Sequence, residues 1–208
     1  METAKLRIGV FFSLVIVHLI ALSLNIELLG KGTKVLLLPA LVFLFWHSLE
    51  KLPSRKILLW ALFFCWLGDT ILLFPMYFLG GLVTFLIGHL LYIRLLFPSK
   101  KIHQFGSILL ILYGTGMAYW LGVHLDIALR IPVFAYLFVI TNMGILAVGQ
   151  KGTENKRFWL ALGGILFILS DSFLAWNKFI EPFRGSGVAV MSTYIAAQYS
   201  LVKGFSIS

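Results

Sequence analysis

The sequence predicts an all-α membrane protein with eight transmembrane helices. Three observations carry this. Hydrophobic residues make up 60% of the 208 positions, with a mean hydropathy of +0.98, against about 45–50% apolar in soluble domains. The apolar residues gather in recurring runs of roughly 20, long enough for a helix to cross hydrocarbon. No period-two alternation is present, which argues against a membrane β-barrel.

The segments fall near residues 7–24, 34–49, 57–74, 80–97, 104–121, 130–148, 158–176 and 186–203, within one integral membrane domain spanning 1–208. Lys5 and Arg7 precede the first run as they would in a signal peptide. That run reaches about Leu24 and ends in Asn25-Ile26-Glu27 without a small-x-small cleavage site, so a retained first helix is expected. Pro39 and Pro132 lie near the starts of their segments, Pro75 and Pro98 just past the ends of theirs, and Pro53 and Pro182 in connections. Proline costs least at such places, so no centrally broken helix is expected. The connection from Pro75 to Leu79 is short and uncharged, which predicts a tight antiparallel pair of the third and fourth segments. Trp60, Trp120 and Trp176, near segment ends, suit interfacial belts. The single cysteine, Cys65, sits in an apolar run and has no intrachain disulfide partner.

The net charge of +9 comes from basic residues placed between the runs, as topology determinants are, so nucleic acid is not an expected partner. Eight crossings put both termini on one side. The N-terminus, the even-to-odd connections and the C-terminal end carry twelve of the 17 Lys and Arg residues. Both termini are therefore expected in the cytoplasm, and the protein in the cell (inner) membrane.

Against this background the informative residues are polar ones inside apolar runs. Asp69, in Gly68-Asp69-Thr70-Ile71-Leu72, and Asp171, in Ser170-Asp171-Ser172-Phe173-Leu174-Ala175, are the only carboxylates well inside segments. An aspartate near a helix centre costs about 2.5–3.5 kcal/mol on insertion scales, and such residues usually face the bundle interior or a wet cavity. The two are 102 residues apart; Tyr92 and Tyr194 are also 102 apart, each 23 after its aspartate. The simplest account is two pseudo-repeated four-helix halves, with both aspartates about six residues, or roughly 9 Å, below the outer ends of their segments. His89 and Tyr92 share one helix face, as do Tyr194 and Gln198. His89 should lie within about a turn of Asp69 in depth. Each of these polar residues also suits a purely structural role as an interhelical clasp.

His18, His47, His103 and His124 are scattered, and no two histidines have the i, i+3 or i, i+4 spacing of a helical metal site, so no metal is expected. There is no Gly-x-Ser-x-Gly elbow and no glycine-rich phosphate loop. Ser170 is not paired with Asp171 as a nucleophile, since neighbours i and i+1 on a helix do not face each other.

With Gly88-His89-Leu90-Leu91-Tyr92, Asn177-Lys178-Phe179 and Thr193-Tyr194-Ile195-Ala196-Ala197-Gln198 added, these strings resemble the motifs of the YhhN-like lysoplasmalogenase family in order and spacing over nearly the whole chain. One departure is Lys34-Val35, where the family pattern has Lys-Pro; here proline comes at Pro39. The resemblance implies hydrolysis of the sn-1 vinyl ether bond of lysoplasmalogens, giving a fatty aldehyde and glycerophosphocholine or glycerophosphoethanolamine. It implies lysophospholipid and bilayer lipid as partners and no metal or organic cofactor. Asp69 and Asp171 are the positions carried over as catalytic, with His89, Tyr92, Ser170, Tyr194 and Gln198 as substrate-binding or polar support. A vinyl ether hydrolyses through protonation of its β-carbon, and two carboxyls can divide acid and base work when their surroundings differ. Intramembrane carboxylates and a two-fold repeat suit two other classes as well: a proton-coupled small-molecule or lipid transporter, and a non-catalytic scaffold.

Overall fold

The computed structural model describes residues 2–100 and 103–207, with side chains from residue 4. Eight α-helices follow in order: α1 Glu2–Ser23, α2 Glu27–Glu50, α3 Arg55–Ile71, α4 Phe78–Leu96, α5 Gln104–His124, α6 Ile127–Val148, α7 Glu154–Phe179 and α8 Ser186–Ser206. No strand occurs among the described residues; one isolated bridge, Lys100 to Gln150, ties the α4–α5 and α6–α7 connections together. Six helical stretches are long and apolar enough to cross a membrane, which makes this a multi-pass membrane protein: Ala4–Ser23, Glu27–Glu50, Pro75–Ser99, Gln104–His124, Ile127–Val148 and Glu154–Phe179. The other two helices, α3 and α8, fall short of that standard. Helix α3 has only 17 residues, and α8 carries buried Gln198 and Ser200 inside the bundle.

Consecutive helices pack side by side, except α4 and α5. Most extensive are the hairpins α3–α4 and α7–α8, joined by α1–α2, α5–α6, α2–α3 and α6–α7. Helix α4 also packs on α6, and α8 on both α1 and α2, which closes the bundle. The buried positions of α3 include Leu58, Ala61, Leu62, Cys65 and Gly68; those of α7 include Leu160, Gly163, Gly164, Phe167 and Ser170, each 102 residues later. The hairpins are tight because small residues let backbones approach. A Cβ on Gly163 would lie 2.9 Å from the backbone nitrogen of Leu201, and one on Gly88 would lie 2.8 Å from Cys65 Sγ.

Two expectations need correction. Helix α2 starts at Glu27, seven residues before the predicted start. Glu27, Lys31 and Lys34 read as connection charges, but Glu27 and Lys31 pair across one helical turn and the helix simply continues through them. Pro39 therefore lies near the middle of α2 instead of its start. Proline removes the amide that would bond the carbonyl four residues earlier. That orphaned carbonyl, Val35 O, accepts a hydrogen bond from Trp66 Nε1 of α3 at 2.8 Å. The break is thus repaired by a neighbouring helix, and the repair fixes α2 against α3 one residue past Lys34.

The second correction concerns the distance of each aspartate from its helix end. Helix α3 ends at Ile71, where the chain turns through a 3-10 segment at Pro75–Tyr77, whereas α7 runs on to Phe179. Asp69 is two residues from its helix end and Asp171 eight from its own, about 3 Å and 12 Å along the axes. The helices end at unequal positions, so the equal six-residue spacing expected from the segment ends does not hold.

Candidate active site

Helices α3 and α7 bring Asp69 and Asp171 to one cavity of about 100 Å³, whose other walls are mostly apolar residues of α4, α5, α6 and α8. Asp69 is buried and Asp171 partly exposed to the cavity. Each carboxyl has a different partner. Lys34 Nζ lies 3.5 Å from Asp69 Oδ1, and the lysine side chain is itself largely buried. Asp171 Oδ2 accepts a hydrogen bond from the Tyr136 phenol of α6. One carboxyl therefore has a cation beside it and the other a neutral donor.

Of the residues singled out in the sequence, Ser170 and Tyr194 line the cavity with the aspartates. Ser170 Oγ donates to Val190 O at 3.0 Å, which pins α7 to α8 beside Asp171. The other three lie beneath, away from the cavity wall. Tyr92 donates to Gln198 Oε1 at 2.6 Å, and Gln198 Nε2 donates to the Tyr194 hydroxyl at 3.4 Å. This chain runs across α4 and α8 and ends at a phenol on the cavity wall. His89 does not bond to Asp69. It is fully buried, its ring centroid 4.5 Å from that of Phe167 and 5.3 Å from that of Tyr136, and neither ring nitrogen has a hydrogen-bond partner. Among the described residues no three His, Cys, Asp or Glu side chains form a metal-binding group.

The residues that sequence reasoning missed are Lys34, Tyr136, Tyr113 and Ser172. The hydroxyls of Tyr113 and Ser172 pair across the α5–α7 contact beside the cavity. A signal for two of them was present: Lys34 and Tyr136 are 102 residues apart, the same offset as the aspartates. Each lies 35 residues before the aspartate it meets. Chemically, two carboxyls on one apolar cavity with unlike partners can hold a proton donor and a proton acceptor side by side.

Residues 30–205 match the YhhN family. The chain is 35% identical to the lysoplasmalogenase TMEM86B of Homo sapiens over 63% of this chain and 55% of that protein. It is 30% identical to TMEM86B of Mus musculus over 78% of this chain and 69% of that protein. To the lysoplasmalogenase of Mycobacterium tuberculosis it is 27% identical, over 73% and 61% of the two chains. The match thus spans little more than half the length of the human relative. No solved structure matches the chain.

Proposed function

The chain belongs to the YhhN family, and from that membership we propose that it is a membrane lysoplasmalogenase, an ether hydrolase acting on the sn-1 vinyl ether of alkenyl lysophospholipids. Its products are a fatty aldehyde and glycerophosphocholine or glycerophosphoethanolamine. The observation that carries the mechanism is the shared cavity with its unlike carboxyl partners.

The division of labour follows from those partners. Lys34 matches the charge of an ionised Asp69, so Asp69 serves as the carboxylate. Asp171 has no cation beside it; Tyr136 occupies Oδ2 and leaves Oδ1 to carry a proton into the cavity. Asp171 gives this proton to the β-carbon of the vinyl ether, and the π electrons form the new C–H bond. The resulting oxocarbenium ion is stabilised by the Asp69 carboxylate. Water adds to that carbon and loses a proton to Asp69. The hemiacetal then collapses: its hydroxyl gives its proton to the Asp171 carboxylate, the C=O bond forms as the bond to the glycerol oxygen breaks, that oxygen takes the proton held by Asp69, and the aldehyde leaves with both carboxyls restored. General acid–base steps of this kind contribute about 10²–10⁴-fold each.

The two-halves reading enters here as part of the proposal. Helix pairs α1–α2, α2–α3 and α3–α4 have counterparts in α5–α6, α6–α7 and α7–α8, and α4–α6 has one in α8–α2. The 102-residue offset relates Lys34, Asp69 and Tyr92 to Tyr136, Asp171 and Tyr194. On this reading all eight helices of one domain cross the cell membrane, both termini are cytoplasmic, and of these three residue pairs one has diverged, lysine against tyrosine.

Purified protein should release aldehyde from alkenyl lysophospholipid. Asp69→Asn and Asp171→Asn should each lower the rate by at least about 100-fold while eluting as folded, monodisperse protein in detergent. Full activity in either variant overturns the two-carboxyl mechanism; proton-driven uptake into liposomes without any product would favour a transporter instead.

A further inference from the structure

A second cavity, about 540 Å³, adjoins the first. It lies between the α1–α2 turn, the end of α3, the C-terminal half of α7 and the start of α8. Lys34, Leu72, Leu174, Val190 and Met191 line both cavities. Its character is different: where the first is apolar apart from Lys34, the carboxyls and a few hydroxyls, the second adds Lys31, His18, Glu27, Asn177 and Ser186.

Three features point to a ligand. Lys31 and Lys34 are i, i+3 on α2 and share a face. The N-terminus of α8 opens here at Ser186 and Gly187, and its N-cap is Gly185, so no side chain caps it; free amide ends of a helix favour anions. Independently, His18 is fully buried, lines the cavity, and has an unpartnered Nε2. Its Nδ1 is 2.8 Å from Thr33 Oγ1, and that hydroxyl gives its own proton to Leu29 O at 2.6 Å. Nδ1 must then carry the hydrogen, which leaves Nε2 of the neutral ring as an acceptor waiting for a donor. Glu27 stands at the mouth, paired with Lys31.

We propose that this second cavity is the headgroup site: it seats the phosphodiester of a single-chain phospholipid on Lys31 and Lys34 at the α8 N-terminus, and the free glycerol hydroxyl on His18 Nε2. The inference rests on the lipid-hydrolase reading above and adds an orientation to it. The glycerol occupies the junction of the two cavities at Lys34, so the ether oxygen meets the aspartates and the chain runs into the apolar cavity toward α5 and α6. Glu27 gives the mouth a negative group as well, which suits the ammonium of a zwitterionic headgroup.

Binding without turnover tests it. A non-cleavable alkyl ether lysolipid, 1-O-hexadecyl-glycero-3-phosphoethanolamine, is compared with 1-O-hexadecylglycerol, which lacks the phosphate, on the full-length protein in detergent. Lys31→Met should weaken the phospholipid about 10-fold, the lower end for one charge-assisted contact, and leave hexadecylglycerol unchanged; Lys31→Arg should retain most of the affinity. Lys31 is exposed, so its replacement does not threaten the fold. Unchanged phospholipid affinity in Lys31→Met, or equal weakening of both ligands, overturns the headgroup site. Absence of aldehyde release from wild-type protein would defeat the hydrolase reading but leave phosphate-dependent binding intact, so the two failures are distinguishable.

Discussion

Lys34 and Tyr136 show how much one side chain decides at this site. Both reach a carboxyl on the same cavity, one as a cation and one as a phenol. Removing the cation leaves a buried carboxylate unpaired, and breaking a buried pair costs about 3–5 kcal/mol. Lys34→Met should therefore lower thermal stability in detergent by many degrees and abolish aldehyde release together. Tyr136→Phe keeps the ring that packs on His89 and removes only a donor, worth about 1–3 kcal/mol. It should lower the rate with a much smaller loss of melting temperature; the two variants' paired activity and thermal measurements separate charge from packing. At this scale the two aspartates were legible because a carboxylate in an apolar run is costly and conspicuous. Lys34 was not, since a lysine near a segment end is indistinguishable from a topology charge. Tyr136 is one aromatic among many. His89 was conspicuous as a polar residue in an apolar run, but the sequence did not show that its ring is enclosed by aromatic side chains.

At the scale of helices, the site depends on how α2 stands against α3. Pro39 interrupts the hydrogen-bond ladder in the middle of α2, and the Trp66 indole takes up the freed Val35 carbonyl. Lys34 is the adjacent residue, so this one bond aligns the lysine with Asp69. Trp66→Phe should leave Val35 O unsatisfied, cost about 1–3 kcal/mol, and reduce aldehyde release through a displaced Lys34, measurable as a lower kcat/KM. The existence of all eight helices could be read from the apolar runs. Their ends could not, because helices here run on into charged, interfacial turns: Glu27–Lys34 in α2 and Glu154–Arg157 in α7. Polarity alone marks the edge of hydrocarbon and says little about where hydrogen bonding stops. The α3–α4 hairpin was legible for a stronger reason, a five-residue uncharged link that leaves no other neighbour within reach.

For the whole molecule, the distribution of basic residues makes a topological prediction. Cys65 is fully buried and should stay unreactive, so single cysteines can be introduced without removing it. Ser206→Cys should resist a membrane-impermeant thiol reagent applied to intact cells, and Asn25→Cys should react; the reverse pattern would invert the orientation. The bundle is closed on most sides, but not evenly. Helix α5 packs chiefly on α6 and buries only Gly114 and Leu121 along its length. It meets α7 through the Tyr113–Ser172 hydroxyl pair, the Trp120–Trp176 contact, with ring centroids 4.4 Å apart, and a small apolar cluster of Met117, Leu121, Ala175 and Phe179. Behind it lies the cavity with both aspartates, and Tyr113, Met117 and Leu121 form part of that cavity's wall. On the lipid-hydrolase proposal the substrate is already dissolved in the bilayer, and a helix with so little buried surface would be its door. Swinging it would admit a hydrocarbon chain sideways to the cavity that holds both carboxyls. Bridging Trp120→Cys to Trp176→Cys with a cleavable bifunctional thiol reagent should stop aldehyde release, cleavage of the bridge should restore it, and neither single variant should respond to the reagent.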